Sequence, residues 1–108
     1  RDMDASSLGF KIGETPFDKI SNISFGKSGL SIGTGDSFVN QPPKILTDLV
    51  DMEAYAIAKT CLLKEINFLC FKYISDNADK NASINWENNI NNGKTAFQKK
   101  ILDLYKNF

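Results

Sequence analysis

Phe68-Leu-Cys-Phe-Lys-Tyr-Ile-Ser-Asp-Asn-Ala-Asp79 is an apolar run that ends abruptly in a polar, acidic turn. A short apolar run bounded by turn residues suits a buried parallel strand, and the reading sets that strand over residues 66–74. Asp76 and Asp79 then stand where the strand leaves its sheet. Ligands of open α/β sheets bind outside the carboxyl ends of the strands. Asp76 is therefore a candidate for chemistry, with turn formation or helix capping as the structural reading of the same residue.

Upstream of this run, Ala54, Ile57, Ala58, Cys61 and Leu62 fall on one helical stripe, which predicts a helix over 51–64. Asp51 and Glu53 lie near its start, where the helix dipole favours acids. Lys64-Glu-Ile-Asn67 makes a tight link into the strand. Earlier still, Ile23-Ser-Phe25 and Leu30-Ser-Ile32 alternate like short strands around a turn at Gly26-Lys-Ser-Gly29. Gly33-Thr-Gly-Asp-Ser-Phe-Val39 follows directly. It lacks the spacing of a dinucleotide site and the lysine of a P-loop, so the glycines alone are a weak ligand signal. Pro43 suits the first turn of a short helix through Ile45 and Leu46. Residues 1–21 read as loop or short extended chain. Downstream, Trp86, Ile90, Phe97, Ile101, Leu104, Tyr105 and Phe108 recur at helical spacing. They predict a helix over 86–107, capped by Asn85 and weakened by Gly93 and its asparagines. Helices alternating with strands give an α/β architecture with a parallel core.

The composition narrows the function classes. With 108 residues the chain is one domain's worth of polypeptide. Lys+Arg and Asp+Glu number 13 each, which gives no electrostatic basis for nucleic acid or an anionic membrane as partner. No histidine is present, so His-based triads and the usual zinc sites are excluded within this chain. Cys61 and Cys70 lie in apolar surroundings and read as buried reduced thiols. No run reaches the ~20 apolar residues of a membrane span. Two glycosylation sequons, Asn22-Ile-Ser24 and Asn81-Ala-Ser83, stand against features that otherwise point to the cytoplasm. Arg1-Asp-Met-Asp4 reads like mid-protein sequence, and the chain is expected to be a segment of a longer polypeptide.

Gly33-Thr-Gly-Asp-Ser-Phe-Val39, Val50-Asp-Met-Glu-Ala-Tyr-Ala-Ile-Ala58 and Ile74-Ser-Asp-Asn-Ala-Asp79, in that order, resemble the C-terminal half of the 5′-methylthioadenosine/S-adenosylhomocysteine nucleosidases, within the purine nucleoside phosphorylase-like superfamily. The resemblance implies a partial three-layer α/β/α fold with a mixed, mainly parallel sheet. Residues 1–108 are then the C-terminal part of a single domain. The implied activity is hydrolysis of the N-glycosidic bond of 5′-thio-substituted adenosines, a step of methionine salvage, by a cytoplasmic homodimer without metal or organic cofactor. By the same resemblance Asp76 protonates the adenine ring, with Ser75 beside it. Met52 and Glu53 hold the ribose, Phe38 stacks on the base, Val39 offers its backbone to the base edge, and Trp86 closes over the pocket. Leu8, Phe10 and Pro16 belong to the segment that reaches a neighbouring subunit's pocket.

The chemistry is coherent. Adenine leaves poorly until a ring nitrogen gains a proton, which a protonated carboxylic acid in a dry pocket can supply. A nearby carboxylate stabilises the oxocarbenium-like sugar, and an aromatic face holds a planar base. Structural alternatives stay open: Glu53 as a helix-start acid, and Phe38 and Trp86 as core. The pattern also departs from the family. Its water-activating Glu lies in the N-terminal half, so the isolated chain is expected to be inactive. Lys72 stands where many bacterial members carry Arg, without arginine's bidentate reach. Leu8 replaces a common aromatic. A phosphorolytic enzyme of the same superfamily and a non-catalytic binding module are the competing functions.

Overall fold

Thr34 and Asp51 face each other across a parallel strand pair. A computed structural model describes residues 6–11, 14, 20–26 and 29–107. Strand β1, Ile32–Thr34, pairs in parallel with β2, Leu49–Asp51, in the register Ile32↔Leu49, Gly33↔Val50 and Thr34↔Asp51. Ser31 and Asp48 staple the entry to this pair. The Ser31 N–H and Oγ donate to Asp48 Oδ2 at 2.8 and 2.7 Å, and Asp48 N–H donates back to Ser31 Oγ at 3.0 Å. A turn of 3-10 helix, Ser6–Leu8, lies within the stretch read as loop.

Helix α1, Ala54–Leu63, follows β2 at once, and α2, Ala82–Tyr105, closes the chain. The parallel pairing and the α/β character match the expectation; the described residues give a two-stranded sheet and two long helices. Among the described residues the buried apolar side chains are Ala54, Tyr55, Ala58 and Ala82, and the buried polar one is Thr34. The small Ala54 and Ala58 bring α1 close to β1.

Several local expectations are corrected. No strand forms over 66–74 among the described residues. A strand exists only as part of a ladder, and β1 and β2 pair with each other and not with this segment. Its Ile66, Leu69 and Ile74 are more than half exposed. The helix expected over 51–64 starts three residues later, because Val50 and Asp51 are drawn into β2. Ile57 and Leu62 of the expected stripe are exposed, and Tyr55 is buried in their place. Its hydroxyl donates to the Ile20 carbonyl and its N–H to Thr34 Oγ1, contacts that α1's own periodicity does not encode. Neither a strand at 23–25 nor a helix at 43–46 forms, and the strand near residue 32 lies at 32–34, with Gly33 inside it. Cys70 is exposed and Cys61 half-buried, both as free thiols.

Helix α2 begins four residues before its predicted start, which puts Asn85 inside it. Asp79 makes that start: its Oδ1 accepts from Asn81 N–H at 2.8 Å and its carbonyl from Ala82 N–H at 2.9 Å. At the end of α1, Glu65 takes a left-handed φ of 56°. Ile66 N–H donates to Cys61 O at 2.9 Å and Glu65 N–H to Leu62 O at 3.2 Å. These two bonds are the Schellman cap, which satisfies carbonyls that the helix end would otherwise leave open.

Candidate functional site

Asp51, the last residue of β2, gathers the surrounding elements. Its Oδ1 accepts from Thr34 Oγ1 at 2.6 Å, and its Oδ2 accepts from Ala54 N–H at 2.9 Å and pairs with Lys72 Nζ. Thr34 Oγ1 in turn accepts from Tyr55 N–H at 3.0 Å. The first two N–H groups of α1, which have no helical partner, are thus satisfied from the sheet. The Asp51 side chain is 9% exposed and that of Lys72 29%. Burial pushes the Asp51 pKa up. Hydrogen bonds from Lys72, Thr34 and Ala54, together with the Lys72 charge, outweigh it and hold the group below its ordinary 3.8.

The second acid is fixed locally. Asp76 Oδ2 accepts from Ser75 Oγ at 2.6 Å, and Oδ1 accepts from Ala78 N–H at 2.8 Å. The latter is an Asx-type bond, and it closes over Ala78 at a left-handed φ of 52°. Asn89 of α2 donates from Nδ2 to the Ser75 carbonyl at 2.9 Å. That bond ties the acidic turn to the helix that follows it.

A cleft of ≈ 830 Å³ opens between the end of the sheet, the 37–48 loop and the acidic turn. Met52 and Glu53 line it from the β2–α1 junction, and Ser75 and Asp76 from the turn. Phe38 and Val39 line it from the loop and Trp86 from α2. Phe38 and Trp86 meet edge to face, centroids 6.3 Å apart at 87°, a favoured aromatic arrangement. Leu8 and Phe10 lie away from this cleft; Leu8 is exposed on its 3-10 turn and Phe10 half-buried. Pro16 lies outside the described residues. Trp86 stands in the second turn of α2, not at its start. Among the described residues no group of His, Cys, Asp or Glu is placed to hold a metal ion.

Two participants, Thr34 and Asn89, were not singled out by the sequence, whereas Asp51 reads there as an acid of structural support near the helix start. Lys72 carried a usable signal. A single cation inside the apolar run Phe68–Ile74 needs a counter-charge, and an acid ending a neighbouring strand is the nearest source. Thr34 and Asn89 have no such signal, since their bonds depend on strand register and on where α2 starts.

A model of the phosphorylase superfamily matches residues 31–106. Curated relatives are named 5′-methylthioadenosine/S-adenosylhomocysteine nucleosidase. The Haemophilus influenzae protein is 42% identical over 69 residues, 56% of this chain and 30% of the relative. That of Buchnera aphidicola is 40% identical over 65 residues, 53% of this chain and 28% of the relative. The Haemophilus ducreyi protein is 29% identical over 110 residues, 80% of this chain and 47% of the relative. The chain thus spans less than half the length of each of these relatives. No solved structure matches it.

Proposed function

The chain belongs to the phosphorylase superfamily, and from that premise we propose that the intact protein hydrolyses the N-glycosidic bond of 5′-thio-substituted adenosines, methylthioadenosine and S-adenosylhomocysteine, and releases adenine. The observation that carries this reading is the shared cleft, where an acid, a carboxylate next to a helix start and an aromatic pair face one volume. The relatives' names point to the same reaction.

Asp76 is the proton donor to the adenine ring. Ala78 N–H holds Oδ1, so the proton is delivered from Oδ2, beside Ser75 Oγ. As the C1′–N9 bond breaks, adenine leaves neutral and the ribose becomes oxocarbenium-like. Glu53, with Met52, holds the sugar hydroxyls, and its carboxylate stabilises the developing positive charge. Phe38 packs on the base, Val39 offers backbone to its edge, and Trp86 closes the cleft. Water attacks C1′, and the group that activates it lies outside these assignments. The 108 residues alone are therefore expected to show no turnover. The protein works as a cytoplasmic homodimer in methionine salvage, with the segment of Leu8, Phe10 and Pro16 reaching the neighbouring subunit.

The superfamily's name favours one competitor, phosphorolysis, in which phosphate replaces water. Adenine release from methylthioadenosine by the intact protein, with and without phosphate, separates the two. Equal rates support hydrolysis, and an absolute phosphate requirement overturns it. Asp76→Asn should slow release by about 10²–10⁴-fold, the range of general-acid contributions. A near-normal rate removes Asp76 from the donor role.

A further inference from the structure

We infer that Asp51 is a positioning residue of this site: its carboxylate locks the Lys72 ammonium, the Thr34 hydroxyl and the first turn of α1 into one unit, and so fixes Lys72 and Glu53 in the cleft wall. The inference rests on the nucleosidase reading for what is positioned, and on geometry alone for the lock. Lys72 comes from the segment 66–77, which has no ladder bond to the sheet among the described residues. Its pairing with Asp51 fastens that segment to β2, two residues before Glu53 and four residues before Asp76. One carboxylate thus links the strand pair, through Thr34 and Asp51, with the helix start, through Ala54, and with the arm that carries the acid, through Lys72.

The pairing also decides what Lys72 does in the cleft. An ammonium held by a carboxylate that is 9% exposed is neutralised and fixed in place. It orients its surroundings and is not available as a free receptor for an anion. Asp51 reaches all three partners because it has two acceptor oxygens on a short stem. Asparagine keeps one acceptor but turns a donor toward Lys72, and glutamate keeps the charge one methylene further out.

The test uses the intact protein and two readouts. The first is the rate of reductive methylation of Lys72, followed by peptide mass spectrometry without any ligand. Wild-type Lys72 should label slowly, Asp51→Asn should speed its labelling severalfold because the side chain loses the partner that holds it, and Asp51→Glu should restore most of the protection. Equal labelling in wild type and Asp51→Asn overturns the lock. The second readout is adenine release from methylthioadenosine. Asp51→Asn and Lys72→Met should each lower kcat by about 10²-fold with KM little changed, the cost of slight misplacement at a reacting centre. The double variant should lose no more than either single one. Losses that multiply, or a fall in rate that follows the folded fraction, overturn the positioning role. Should Asp51→Asn fail to fold, Lys72→Met against wild type carries the kinetic arm: an unchanged kcat overturns the inference. If the wild-type protein releases no adenine, the functional reading fails, and the labelling arm still decides whether Asp51 holds Lys72.

Discussion

The ring of Tyr73 lies so close to Gly93 that a Cβ on residue 93 would stand 3.0 Å from Tyr73 Cδ1 and 3.2 Å from Cγ. Glycine in the middle of α2 is thus a packing requirement of the segment that leads into Ser75 and Asp76. Gly93→Ala gains about 1 kcal/mol of helix propensity and meets an overpacking cost of about 1–3 kcal/mol. The expected outcome is a net loss of stability of about 1 kcal/mol by chemical denaturation. A net gain would show that Tyr73 yields freely.

Glu65 occupies the left-handed position of the cap that ends α1. A side chain there costs about 1–2 kcal/mol, and glycine avoids that cost but loses more chain entropy on folding. Glu65→Gly should stabilise the protein by about 0.5–1 kcal/mol. A lower melting temperature would mean that the Glu65 side chain contributes more than its backbone costs.

Tyr55 is the largest of the buried apolar side chains, and its hydroxyl donates to the Ile20 carbonyl. Removing only the hydroxyl leaves the ring's packing and takes away this one bond to the carbonyl. Tyr55→Phe should destabilise by about 1 kcal/mol, the usual net worth of such a bond. Hydrogen exchange of amides near residue 20 should rise more than exchange in β1 and β2.

Asp48 and Asp51 both sit below their ordinary 3.8. Ser31's backbone and side-chain bonds lower Asp48; the Lys72, Thr34 and Ala54 contacts lower Asp51 against its burial. A carboxylate lowered in the folded state contributes stability that is complete above the unfolded value and lost as pH falls through the folded one. Melting temperature should therefore be insensitive to these groups near neutrality and fall as pH drops below about 4. The fall should be shallower in Asp51→Asn. An identical acid slope in that variant would separate Asp51 from the effect.

Trp86 is the only tryptophan among the 108 residues, and it meets Phe38 at the cleft. Methylthioadenosine bound there should change its fluorescence. Phe38→Ala should weaken that binding by about tenfold, as expected for losing an aromatic contact worth about 0.5–1.5 kcal/mol beyond its area. An unchanged titration would move the base elsewhere in the cleft.

The legible parts of the fold were the local ones. Asp76 declares itself where an apolar run meets Ser-Asp-Asn, and α1 and α2 declare themselves by period. A parallel sheet was legible from the alternation of helices and strands, although the link between the two strands that pair, residues 35–48, carries no helix. What stayed hidden depends on partners distant in sequence. Leu49–Asp51 reads as the approach to a helix until Ile32–Thr34 lies beside it. Ile66–Ile74 reads as a strand although, among the described residues, it joins no ladder with β1 or β2. Tyr55 outranks Ile57 in burial because of Ile20 and Thr34, and α2 starts early because Asp79 turns its carboxylate back. Of the site, Phe38, Glu53 and Asp76 stand at element ends or in loops, where motifs are readable. Thr34 and Asn89 are ordinary polar residues until register and helix phase aim them.

The bonds of Asp51 have a consequence for how this sequence can drift over time. A change at position 51 leaves the Thr34 hydroxyl, the Ala54 N–H and the Lys72 ammonium unanswered at once. A change at 34 or 72 disturbs only one of those answers. Positions 34 and 72 each break one of those three bonds when they change, whereas a change at 51 must be met at both of them together. Among descendants of this sequence, that asymmetry should be visible as a trio of substitutions inherited together.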